Sequence, residues 1–145
     1  MKRRYYAFAG ASVVLLGLQF VPVARNNRPG TGDPQTSREV QWILRRACYD
    51  CHSTESRWPI WAYVAPISWR VVADVERART RVNFSDWASL DREHRVALRA
   101  LVGHVTATHR MPLWYYVTLH PDARLNDDDR ALLQRWSDSA TTQEP

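Results

Sequence analysis

Residues 36–52 read TSREVQWILRRACYDCH, from Thr36 to His52, and this stretch decides the fold. Thr36 and Glu39 have the Thr-x-x-Glu spacing of a capping box, in which each side chain satisfies a free backbone N–H at a helix start. Val40, Ile43, Leu44 and Ala47 recur at i, i+3, i+4 and i+7, the pattern that puts apolar side chains on one helix face. The spacing predicts a helix running directly into Cys48. There the only two cysteines of the chain stand in Cys48-Tyr49-Asp50-Cys51-His52.

A C-x-x-C-H sequence is the attachment pattern of c-type haem. With two Cys and five His placed at random, it arises about once in two thousand sequences, so coincidence is a poor explanation. The spacing has a mechanical cause. Each thiol adds to one of two vinyl groups on adjacent pyrroles, and two intervening residues span that separation. His52 is then carried under the iron as proximal ligand. The expected cofactor is one haem c, covalently attached, with its iron. Two other readings use the same residues. A redox dithiol or disulfide usually follows a strand in a β-α-β unit, whereas here the pair ends a helix. A zinc site needs further ligands, and a set completed by His104 and His109 lacks the usual spacing.

Outward from the motif, helices continue to dominate. Arg57 to Trp69 is rich in Trp and Pro and reads as a packed loop with short turns. Pro66 opens a helix from Ile67 to about Arg81, with Val71, Val72, Val75 and Ala78 on one side. Asn83-Phe84-Ser85-Asp86 is a break. A further helix is expected from about Asp91 to Thr108, with Val96, Leu101, Val102 and Val105 inward, ended by Met111-Pro112. The last helix starts at the cap Asn126, carries Asp127, Asp128 and Asp129 in its first turn and buries Leu132, Leu133 and Trp136. No strand pattern is convincing, and the fold class is all-α. A thin core of short helices gains stability when a large rigid apolar group fills its centre.

The formal net charge of +5 raises the question of a nucleic-acid surface. Lys2, Arg3, Arg4, Arg25 and Arg28 carry the excess, since no acidic residue precedes Asp33 and fifteen Arg then face fifteen Asp and Glu. The folded part is neutral, which argues against nucleic acid as a partner. Tyr5 to Ala24 has no charged residue and one internal Gln, Gln19. Twenty helical residues span about 30 Å, the hydrocarbon thickness of a bilayer. The expectation is therefore one transmembrane helix within residues 1–24. The basic cluster lies inside, and the following domain lies on the periplasmic side of the cytoplasmic membrane. A cleaved signal peptide is the competing reading, disfavoured by Pro22 at the −3 position of the candidate site Ala24. Residues 25–35 are read as a linker without a fixed fold, 36–140 as the haem domain and 141–145 as a flexible tail.

A second axial ligand is sought among Met111, His94, His104, His109 and His120. Met111 is the one thioether on the folded side of the chain and sits at a helix end before Pro112, which favours it. His109 and His104 follow, and an open position is the remaining option. His120 precedes Pro121 in a turn and His94 lies on a polar face, so both read as surface residues. Trp58, Trp61, Trp69, Trp87, Trp114, Tyr115 and Tyr116 either line the pocket, donating hydrogens to haem propionates, or pack the core, the reading preferred for most of them.

Several blocks carry a resemblance. They are Cys48 to Ser53, Arg57-Trp58-Pro59, Ala65-Pro66-Ile67-Ser68-Trp69, Asn83 to Trp87, Met111-Pro112, Trp114-Tyr115-Tyr116 and His120 to Leu125. In this order they make the chain similar, over nearly its whole length, to the bacterial haem-binding domain family of cytochrome c-like proteins. Leu113 stands where that family more often has a second Pro. The resemblance implies a small cytochrome c-like helical domain with haem at Cys48, Cys51 and His52, and Met111 at the distal position. Such domains occur alone and beside cytochrome c or di-haem peroxidase modules, which points toward electron delivery. One-electron transfer with unidentified redox partners is thus the first functional expectation. A small-ligand haem sensor or an accessory of a haem peroxidase system is the alternative. An enzyme ranks last, because no distal acid–base pair is apparent.

Overall fold

Ser37, not Thr36, caps the helix that leads to the motif. Its Oγ accepts from Val40 N at 3.3 Å, while its own backbone is extended. The capping hydroxyl is one residue later than expected because the helix begins at Arg38. The structure is a computed structural model describing residues 2–140, so Met1 and the expected tail, 141–145, lie outside the described residues. In chain order the helices are α1 (Lys2–Leu18), α2 (Arg38–Ala47), α3 (Tyr49–His52), α4 (Ile67–Arg81), α5 (Arg92–Ala107), α6 (Trp114–Leu119) and α7 (Asp127–Asp138). Single 3-10 turns cover Ile60–Tyr63, Trp87–Ser89 and Pro121–Ala123. Among the described residues there is no strand, only one isolated bridge between Gly32 and Asp86, and the fold is all-α.

The apolar stripe of α2 is buried, with Leu44 fully enclosed. It packs with Tyr49, Phe84, Trp87, Leu133 and Trp136 into one core. Within that core, rings run in series from α3 to α7: Tyr49 on Phe84 at 5.5 Å, Phe84 on Trp87 at 6.0 Å and Trp87 on Trp136 at 6.1 Å. Each such pair adds about 0.5–1.5 kcal/mol beyond area burial. Arg46 ties α2 to α7 through Asp129 at 2.5 Å and bonds the Asp122 and Arg124 carbonyls. Asn126 caps α7 as expected, in a full capping box with Asp129.

On α5 the buried face differs from the expected one. Leu101 is exposed, whereas Arg99, Val102, Gly103 and Thr106 are buried. Gly103 sets this rotation, because it allows α5 to approach α7 so closely that a Cβ there would stand 2.6 Å from Ser137 Cβ. Arg99 follows it inward, bonding Trp136 O and the Ser139 hydroxyl. A hydropathy pattern assigns Arg outward and Leu inward; here the close seat of two helices overrides it.

The expected membrane-spanning helix is corrected. No helix among the described residues is long and apolar enough to cross a membrane. α1 stops at Leu18, where the bonding tightens to Gln19 N with Leu16 O, Phe20 N with Gly17 O and Val21 N with Leu18 O. Three-residue bonding of this kind marks a helix end, and Pro22 cannot extend it. Gln19 also turns its amide to the domain, donating to Ala65 O at 3.2 Å and accepting from Ala65 N at 3.0 Å.

Residues 25–35 form no helix, yet they do not hang free. Arg25 donates to Ala62 O at 3.0 Å and Asn27 to Ser56 O at 2.9 Å. Arg28 pairs with Asp86, and Gly32 exchanges backbone bonds with Ser85 and Ala88. Gly30 runs so close that a Cβ would lie 2.2 Å from Ser85 O. The segment is a strap along the domain. Its partners lie far away in the sequence, so local composition shows only that it lacks a core of its own.

Candidate functional site

The motif occupies one turn of helix. Cys51 N and His52 N both donate to Cys48 O, at 3.2 and 2.8 Å, which places both thiols and the imidazole along a single short element. Phe84 N in turn donates to His52 O at 2.8 Å, fastening the end of α3 to the expected break. Cys48, Cys51 and His52 line a cavity of about 300 Å³. Its other walls come from the Trp58–Trp61 loop, from Val71, Val75 and Ala78 of α4, and from the segment Met111–His120. A wider depression of about 720 Å³ beside residues 31–37 has no thiol, thioether or imidazole among its described lining residues.

The imidazole of His52 is fixed by the last turn of α4. Its Nδ1 lies 3.1 Å from both Ala78 O and Val82 O. Both neighbours are acceptors, so Nδ1 carries the proton and Nε2 keeps its lone pair. This is the tautomer of a metal-binding histidine, oriented by a carbonyl on its other nitrogen. Burial pulls its pKa below the ordinary value against the opposing pull of the two carbonyls, so the ring is neutral at pH 7.

Both cysteines are free. Burial pushes the Cys48 thiol up to about 12, helped by the nearby Cys51, and pushes Cys51 up to about 11, helped by Asp50. Redox-active dithiols depend on a lowered thiol pKa, and this environment works in the opposite direction. The zinc reading also finds no support: among the described residues no group of three or more His, Cys, Asp or Glu could hold a metal ion.

Asp50, between the two cysteines, ties the motif to the opposite wall. It accepts from Tyr116 OH at 2.9 Å and from Arg57 Nε at 3.1 Å. Burial, and next the Asp50 charge, raise the pKa of Tyr116, so the phenol stays a donor. Tyr115 OH reaches Asp74 of α4 at 3.3 Å. The sequence reading assigns no helix to Trp114–Leu119; α6 is too short for periodicity to appear, and its adjacent tyrosines are the only signal.

Of the distal candidates, Met111 is half-buried and lines the cavity, its N–H held on Val105 O at 3.0 Å. His109, two residues beyond α5, has φ 56, a left-handed conformation; it and His104 are exposed, and neither lines the cavity. His94 is exposed against Asp91. His120, read from the sequence as a surface residue, lines the cavity instead, stacked on Tyr116 at 4.3 Å and edge-on to Trp61. The turn preceding Pro121 folds it back over α6, which its local sequence does not signal.

The aromatic residues divide. Trp87 belongs to the core, Trp114 is exposed, and Trp58, Trp61, Tyr115 and Tyr116 line the cavity. The Trp58 Nε1 is buried with no hydrogen-bond partner. The Trp69 indole N–H, away from the cavity, is in the same state. Two thiols, a lone-pair imidazole and a thioether around one cavity make a donor set that fits an iron porphyrin. A family model described as Haem-binding domain matches residues 13–139. No curated protein and no solved structure matches the chain.

Proposed function

Since the chain belongs to the haem-binding domain family and is a haem-binding protein, we propose that it is a membrane-attached electron carrier holding one covalent haem c. Cys48 and Cys51 would hold the haem through thioethers, and His52 and Met111 would ligate its iron. The observation that carries this reading is the convergence on one cavity of both thiols, Met111 and an imidazole whose Nδ1 is already committed to two carbonyls. When bound, haem supplies a one-electron iron couple, and a thioether ligand raises its potential. The chain's own residues hold and orient. Ala78 and Val82 keep His52 in one tautomer, the Asp50–Tyr116 bond closes α6 over the cavity, and Trp58 offers an N–H to a propionate.

Membrane attachment is supported by α1, whose apolar side chains are exposed on every face, and by Lys2, Arg3 and Arg4 at its start. The domain is assigned to the extracytoplasmic side, where c-type haem is assembled. Nucleic acid is not among the proposed partners, because the charge excess lies in the first 28 residues.

The test is co-expression with a cytochrome maturation system, followed by mass measurement after denaturation and spectra with and without carbon monoxide. The expected results are a mass raised by one haem and resistance of the native ferrous protein to carbon monoxide. Met111→Ala is expected to abolish the near-red charge-transfer band of thioether-ligated ferric haem and to admit carbon monoxide. A bare polypeptide mass removes the whole reading. Ready binding by the native protein, with the mass raised, replaces electron transfer by ligand sensing.

Trp58→Phe separates holding from packing. It keeps an aromatic ring but removes an N–H that has no partner within the chain. Urea unfolding should show a loss of about 1–2 kcal/mol in the haem-loaded protein and little change in the haem-free chain. Equal losses in both forms would reduce Trp58 to a packing residue.

A further inference from the structure

Four large apolar residues are exposed within eight positions: Ile60 at 77%, Tyr63 at 55%, Val64 at 47% and Ile67 at 53%. They flank Ala62 and Ala65, the two residues whose backbone receives Arg25 and Gln19. The exposed face therefore surrounds the point where α1 is fastened to the domain. We propose that this face is a lipid-binding surface, seating the haem domain on the bilayer around the exit of α1. This rests on the membrane attachment proposed above and adds a second, independent contact with lipid.

The occupant follows from α1. Phe8, Val13, Val14, Leu15 and Leu16 are all exposed, although they point to different sides of one helix. A protein groove covers one side of a helix; a helix apolar all round calls for a medium that surrounds it. That medium is lipid. Because Gln19 is bonded to Ala65 at both amide atoms, no slack separates the lipid around α1 from the adjoining face.

The rim suits the boundary as well. Arg25 lies 4.4 Å over the Tyr63 ring, placing a cation where lipid phosphates lie, and Arg70, one turn after Ile67, is exposed and paired with Asp74 at 2.9 Å. Tyr63 has an apolar body and a polar tip, the form that settles at such an interface.

The geometry has a functional consequence. The turn that carries Ile60 and Tyr63 also carries Trp61, a wall of the cavity, so one side of the haem cavity is brought to the membrane surface. The proposal is tested on the full, haem-loaded chain in nanodiscs of phosphatidylethanolamine and phosphatidylglycerol. Nitroxides are placed singly through Ile60→Cys, Ile67→Cys, Val14→Cys and, as an aqueous reference on α5, Ala97→Cys. The unsubstituted chain is the control for labelling at the native thiols. The readout is collision with oxygen, which concentrates in lipid, against a water-soluble nickel complex. The expected oxygen-to-nickel ratio at positions 60 and 67 is several-fold above that at 97 and approaches the value at 14. A ratio at 60 and 67 equal to that at 97, with 14 in lipid, overturns the lipid face and leaves the attachment standing. Protection of 60 and 67 from both reagents means a protein covers the face, and this also overturns the proposal. An aqueous value at 14 ends both readings.

Discussion

A chain carrying Cys48→Ser and Cys51→Ser together is expected to retain no haem after denaturation, while either single substitution retains it through one thioether. The reason is geometric. Cys48, just before α3, and Cys51 within it bring two thiols to one cavity wall, one helical turn apart. In the proposed attachment each would bond its own pyrrole, so the two would be separate fastenings. His52 is held by α4 rather than by the thiols, so the doubly substituted chain can still gather haem, but only reversibly. The measurement is haem stain and intact mass under denaturing conditions, with the native spectrum as control. Haem remaining bound to the double variant through denaturation would remove the thioether assignment. His52→Ala makes the complementary case: covalent mass kept, low-spin spectrum lost.

Gly103→Ala carries the largest expected effect on folding, and its sign is the informative part. In an exposed helix interior this replacement stabilises by about 1 kcal/mol. Here the added Cβ meets Ser137 Cβ and Oγ, both at 2.6 Å, on the face where α5 seats on α7. Overpacking of this kind costs about 1–3 kcal/mol, which outweighs the propensity gain. Urea unfolding in one haem state should show a lower midpoint with an unchanged slope. Ser137→Gly removes the obstructing side chain, so in the double variant a large part of the loss should return as coupling energy. A raised midpoint in Gly103→Ala, or strict additivity in the double variant, would show that the helices are not so closely seated.

The two predictions rest on different kinds of information. The thiols and the imidazole were legible as a motif because their chemistry demands a fixed spacing within five residues. The α4 limits, Ile67–Arg81, also coincide with the sequence reading, because Pro66 and a regular apolar stripe act locally. The seat at Gly103 was not legible. Whether a glycine in a helix is a weak point or a close approach depends on a partner thirty-four positions away. The same holds for Arg99, whose charge marks it as exposed until the Trp136 carbonyl is found beside it.

Sequence by itself determined the all-helical class, the end of α2 at the motif, the neutral charge of the domain and the candidates for the iron. These follow from side-chain periodicity, from the order of charges along the chain and from a motif that sets two thiols and an imidazole within five residues. Tertiary structure decided which distal candidates share the cavity, admitting Met111 and His120 while leaving His104 and His109 outside. It also turned a loose-looking linker into a strap and ended the N-terminal helix at Leu18. Each of these depends on hydrogen bonds or contacts between residues tens of positions apart, and no local pattern encodes which distant backbone group a side chain will meet.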